Sequence, residues 1–156
     1  MNESIRTLDD ALRVCGVTID QYKSQTQGLP EDVRAFIALR HIVQALNDGW
    51  QPSHGCREIR WFVWFDVLSD LEYNHLSPHD KANWPIKCKC GRNDHYHHAI
   101  VRVYMDRSPL EEGRGLLQGQ FPTALAFRDE ATARYAATRF TEAFLTLYFG
   151  SQRQSA

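Results

Sequence analysis

Cysteine and histidine gather in one short stretch of this sequence, Cys88-Lys-Cys90-Gly-Arg-Asn-Asp-His95-Tyr-His97-His98. Two thiolates with one or two imidazoles suit tetrahedral zinc, provided that all of them reach one ion in their deprotonated forms. The spacing is less diagnostic than the composition. A C-x2-C knuckle lets both sulfurs reach one metal with backbone N–H support, whereas this pair is C-x-C. The candidate ligands are Cys88, Cys90, His95 and His97, with His98 or Cys56 as substitutes for the last. Their expected role is structural, pinning a segment that has no core of its own. A catalytic zinc is disfavoured because no carboxylate is placed as the base of a known metal motif. The competing account is a polar surface segment with incidental cysteines and histidines.

A second group offers a different chemistry. Arg60, Phe62 and Trp64 alternate along one segment, and Arg102 and Tyr104 along another. Aromatic faces stack planar rings, and guanidinium groups pair with phosphate or carboxylate, so these five residues form a candidate ligand-binding face. Arginine outnumbers lysine fourteen to four, and arginine is the better residue for planar, bidentate contacts. Packing is the competing account, with helices covering the aromatics and the arginines extending to solvent.

Catalytic signatures are missing. The sequence has no G-x-S-x-G, no P-loop and no dinucleotide fingerprint, and Gly113, Gly115 and Gly119 read as turn residues. Cys15 lies on an apolar helical stripe, where a core role is expected. Asp66, inside an apolar strand, reads as a hydrogen-bonded carboxylate rather than a general acid or base.

The elements that position these residues follow from periodicity. Thr7 caps a first helix through Leu8, Leu12 and Cys15, ended by Gly16. Thr18 to Gly28 is polar and reads as a connector. Pro30, Glu31 and Asp32 open a main helix of about seventeen residues, in which Val33, Phe36, Ile37, Val43 and Leu46 recur at helical spacing until Asn47-Asp48-Gly49. Strands are expected over Glu58–Leu68, Ala99–Met105, Leu116–Phe121 and Ala124–Arg128. Asp129 caps a closing helix that runs to Phe149 on the stripe Ala133, Ala136, Phe140, Ala143, Phe144 and Leu147. Between the first two strands, residues 69–98 show neither period and are expected to form one long loop. Residues 151–156 read as a frayed tail.

At 156 residues, 43% hydrophobic and 24% charged, the chain has the bulk of one ordinary globular domain over residues 1–150. A net charge of −1 gives no reason to expect bulk attraction to nucleic acid or to an anionic membrane. The N-terminal residues lack a basic region followed by an apolar core, and the longest apolar run, Trp61 to Phe65, is too short to span a bilayer. A cytoplasmic protein with reduced cysteines is the expectation.

Three stretches carry a resemblance: Ala45-Leu46-Asn47-Asp48-Gly49-Trp50-Gln51-Pro52, the aromatic run Trp61 to Phe65, and Leu125-Ala126-Phe127 with Ala131, Tyr135, Ala136, Phe140 and Tyr148. Together they resemble a family of small phage and mobile-element proteins marked by an LNxGWxP helix end, an aromatic strand and a strand-helix close. The likeness covers about half the chain and departs after Pro52, where Ser53-His54-Gly55-Cys56 replaces an expected tryptophan. It implies a phage-encoded accessory protein acting by binding, and it assigns no functional residue.

The combined expectation is an α+β domain, a small antiparallel sheet of about four strands packed against two main helices. The leading function is a non-enzymatic accessory binding protein, active against host defence, that engages a host protein or sequesters a small nucleotide-like ligand. The alternatives are a zinc-stabilised nucleic-acid or protein interaction module and a metal-dependent hydrolase.

Overall fold

Three helices open the chain, and two of them begin with reciprocal capping boxes. The computed structural model describes residues 4–52, 58–83, 86–92, 95–106 and 123–150, and within 82–100 the backbone alone. Helix α1 (Leu8–Val14) starts where the Thr7 hydroxyl accepts from the Asp10 N–H while the Asp10 carboxylate accepts from the Thr7 N–H. Helix α2 (Ile19–Thr26) repeats the device with Thr18 and Gln21, and so corrects the expectation of a connector there. Its single fully buried residue, Thr26, explains why no apolar period announces it.

Helix α3 (Glu31–Leu46) is the long helix that Pro30 and the acidic first turn imply. Its buried face runs through Ala35, Ala38, Leu39, Ile42, Val43 and Leu46. Val33 lies off that face and is exposed. The helix stops in two successive left-handed residues, Asp48 and Gly49, with φ of 53° and 77°. Glycine suits the second without strain.

Strand β1 (Arg60–Ser69) runs directly into α4 (Asp70–His75), followed by α5 (Pro78–Asn83), β2 (Ile86–Arg92) and β3 (His95–Asp106). Among the described residues, two six-residue helices and a hairpin therefore stand where a long loop is expected over residues 69–98. Both helices have a serine-initiated start: Ser69 caps α4 with Glu72, and Ser77 accepts from the Asp80 N–H while donating to its carboxylate. Six-residue helices are too short to show a 3.6-residue period.

The described strands form an antiparallel sheet in the order β1-β3-β2, with β3 central. The register pairs Trp61 with Met105, Val63 with Val103 and Phe65 with Val101 on one face, and Phe62 with Tyr104 and Trp64 with Arg102 on the other. The expected strand at Leu116–Phe121 lies outside the described residues. That at Ala124–Arg128 is a 3-10 turn (Thr123–Leu125) followed by one bridge, in which Phe127 exchanges both backbone hydrogen bonds with Trp61. Leu125 and Phe127 are buried.

The closing helix is broken into α6 (Glu130–Arg139) and α7 (Thr141–Phe149). Phe140 takes φ −115° and ψ 27°, and the Thr141 hydroxyl, a single donor within reach of both the Ala137 and the Thr138 carbonyl, serves those left over at the end of α6. Because α6 is capped by Asp129, whose carboxylate accepts from the Thr132 N–H at 2.8 Å, both ends of this short helix are satisfied locally. Helix α6 lies against β1 and β3, α7 packs on α3, and α3 packs on α1. One core joins them through Leu39, Val43, Phe65, Phe127, Ala133 and Phe144. The fold is α+β, and among the described residues no helix is long and apolar enough to cross a membrane.

Candidate functional site

The two strands that carry the arginines and aromatics are direct neighbours. Arg60, Phe62, Trp64 and Asp66 on β1 face Asp106, Tyr104, Arg102 and Ile100 on β3 across the ladder. Directly opposed residues share a sheet face. All five residues of the candidate ligand-binding set therefore lie on one face, the reverse of the one that buries Val63, Phe65 and Val101 against the helices.

Their environments differ sharply. Arg60 is 2% exposed and its Nη2 donates to Asp106 Oδ2 at 2.9 Å. Phe62 beside it is 3% exposed. These two are part of the packed structure. Arg102 and Asp66 form a diagonal cross-strand ion pair whose side chains are 38% and 39% exposed, and Tyr104 is 52% exposed. Trp64 is half-buried, with its ring edge-on to Tyr148 at 5.4 Å between centroids and an interplanar angle of 78°. The solvent-reachable part of the set is thus Trp64, Arg102 and Tyr104, with Asp66 as a fourth member.

Tyr148 fixes the outer edge of this face. Its hydroxyl donates to the Val63 carbonyl at 3.2 Å, and its ring also meets Phe65 at 5.7 Å, so one side chain continues along the edge of β1 from the Trp61–Phe127 bridge. Burial pushes its phenol up to about 12. Tyr148 lies outside the apolar stripe of the closing helix and enters the sequence reading only through the family likeness, and nothing in the sequence pairs it with Trp64. Asp66 was legible as a hydrogen-bonded carboxylate, yet its partner depends on the β1–β3 register, which residue order alone does not give.

The Cys/His segment is a hairpin. Its register sets Cys90 opposite His97, Cys88 opposite Ala99, Arg92 opposite His95 and Lys89 opposite His98. Cys88, Cys90, His95 and His97 fall on one face of the hairpin, and Lys89 and His98 on the other. Cys88 and His95 are nevertheless far apart, because His95 pairs four residues beyond Cys88, about 13 Å along the strand. Cys56 and His54 lie outside the described residues. Among side chains that are described, no group of three or more Cys, His, Asp or Glu is placed to hold a metal.

Cys15 is half-buried on the core, its thiol donating to the His41 carbonyl at 3.5 Å, and burial raises its pKa. A protonated, packed thiol is a poor nucleophile. An open groove of about 810 Å³ lies among α2, α3 and α7, where Lys23 and Arg34 are offset by Glu31 and Glu142. A smaller cavity of about 210 Å³ borders the α3 end and is lined by Asn47, Trp50 and Pro52. Those motif residues serve the scaffold. Buried Asn47 donates to the Ala126 carbonyl at 2.8 Å and accepts from the Arg128 N–H at 3.2 Å, while the Trp50 indole donates to Glu58 at 3.0 Å.

Comparison with known protein families, curated proteins and solved structures finds no match for the chain.

Proposed function

We propose that this chain is a non-enzymatic binding protein of the phage accessory type, holding a small nucleotide-like ligand made by its host on the outer face of the sheet. The observation that carries the reading is the adjacency of Trp64, Arg102 and Tyr104 on two paired strands, with Arg102 already held by Asp66. That pairing selects the ligand chemistry. A free phosphate must compete with Asp66 for the guanidinium, whereas the edge of a nucleobase uses both partners, accepting from Arg102 and donating to Asp66. Trp64 and Tyr104 add ring surface that any planar base uses. Arg60 and Phe62 support the face from within.

The setting, counter-defence by capture of a host-made signal inside the host cytoplasm, comes from the family likeness of the LNDGWQP helix end and the strand-helix close. Native mass spectrometry of protein purified from its producing cells, with thermal shifts against nucleosides, nucleotides and cyclic dinucleotides, tests the reading. A retained mass or a shift that disappears in Trp64→Ala and Arg102→Ala is the expected result. No retained mass and no shift across the panel defeats it.

A further inference from the structure

The ladder register orders the outer sheet face into successive levels. Phe62 and Tyr104 form one level, Trp64 and Arg102 the next, and Asp66 stands at the level beyond, opposite Ile100. Successive levels on one face lie about 7 Å apart. The ring surfaces that reach solvent, Trp64 and Tyr104, are therefore on one side of Asp66, and a planar base laid over them turns one edge toward Arg102 and Asp66. The ion pair there joins Arg102 Nε to Asp66 Oδ2, with both side chains more than a third exposed. We infer that the base selected by this face is guanine, with Asp66 as the residue that selects it. The inference rests on the nucleotide-binding reading above and narrows it to one base.

The choice follows from the donors and acceptors on each base edge. An ionised carboxylate only accepts and has two oxygens, whereas a guanidinium only donates and has N–H groups on all three nitrogens. A base that engages both Asp66 oxygens must therefore present two adjacent donors, with an acceptor beside them for Arg102. Guanine carries that order along one edge: O6 accepts, and N1–H and the 2-amino group donate. Adenine offers one donor, its 6-amino group, beside the N1 acceptor. Cytosine likewise has one donor group, and uracil has a single N–H flanked by two carbonyls. Each of these sets an acceptor or a carbon against the second carboxylate oxygen, where guanine sets an N–H. Charge-assisted hydrogen bonds are the strong ones, so the extra N–H to Asp66 carries the discrimination.

The test is calorimetric titration of the full chain with GMP, IMP, AMP and UMP, which hold the sugar and phosphate constant and vary only the base. GMP should bind at least about tenfold more tightly than each of the others. IMP is the informative control, because it keeps O6 and N1–H and lacks only the 2-amino group. In Asp66→Asn one carboxylate oxygen is replaced by an amide donor, so GMP affinity should fall by at least about tenfold and its preference over IMP should vanish. Nucleotides that bind equally well, with binding lost in Trp64→Ala, would overturn guanine selection and leave the nucleotide-binding reading standing. A GMP preference that persists in Asp66→Asn would overturn the role of Asp66. No heat with any of the four would overturn both this inference and the reading beneath it.

Discussion

Arg60 and Asp106 show how a residue suited to bind an anion is used to hold the sheet. They stand directly opposite on β1 and β3, and the guanidinium is enclosed. Desolvation offsets much of the attraction in such a pair, but removing one member strands the other in a dry environment, at about 3–5 kcal/mol. Asp106→Asn is therefore expected to lower stability by about 3 kcal/mol, read as a reduced urea midpoint with an unchanged slope. Ligand binding at Trp64 and Arg102 should survive in the folded fraction. Tyr148 makes a pH-dependent contribution. Burial holds its folded pKa at about 12, above the ordinary value of about 10. The stabilisation is complete below pH 10 and is lost as pH rises from there toward 12, in total on the order of 2–3 kcal/mol. Tyr148→Phe should flatten the stability profile across that window, at a neutral-pH cost of about 1 kcal/mol for the lost bond to Val63. An equally steep alkaline loss in the variant would assign the effect to another group.

At the scale of elements, the Asn47 side chain is the tie between the end of α3 and the turn that leads to α6. It satisfies the Ala126 carbonyl and the Arg128 N–H from a buried position. Asn47→Ala leaves both backbone groups without that partner and should destabilise by about 1–3 kcal/mol, with faster hydrogen exchange at the Arg128 amide. Unchanged exchange there would mean that the tie is not needed. The elements legible in the sequence are α1, marked by its Thr7 cap and Gly16 end, and those whose period is long enough to read: α3, β1, β3 and the two-part closing helix. Helices α2, α4 and α5 were missed as helices because they present little apolar surface. Their signal was the caps Thr18–Gln21, Ser69–Glu72 and Ser77–Asp80. The break at Phe140 was hidden because Ala136, Phe140, Ala143 and Phe144 continue the apolar stripe through it, and only the backbone at Phe140 and the Thr141 hydroxyl reveal two helices. The Cys/His stretch looked like a loop because β2 carries few β-formers and depends on its partner strand for order.

At the scale of the whole molecule, the sheet has two unlike faces. One meets the core through Val63, Phe65, Val101 and Val103, all apolar and readable from alternation. The other mixes buried Arg60 and Phe62 with open Tyr104, Arg102 and Asp66, a grading that composition does not encode because it depends on which pairs close across the ladder. The candidate face was therefore legible as a set of residue types, but its division into support and contact was not. The most direct test is native mass spectrometry of protein taken from its producing cells, comparing the parent with Trp64→Ala, Arg102→Ala and Arg60→Met. The expected result is a small-molecule mass carried by the parent and by folded Arg60→Met, and lost from the other two. A parent that carries no added mass and gains no thermal stability from any nucleotide tested, or a mass retained in both Trp64→Ala and Arg102→Ala, would contradict a ligand on the sheet face.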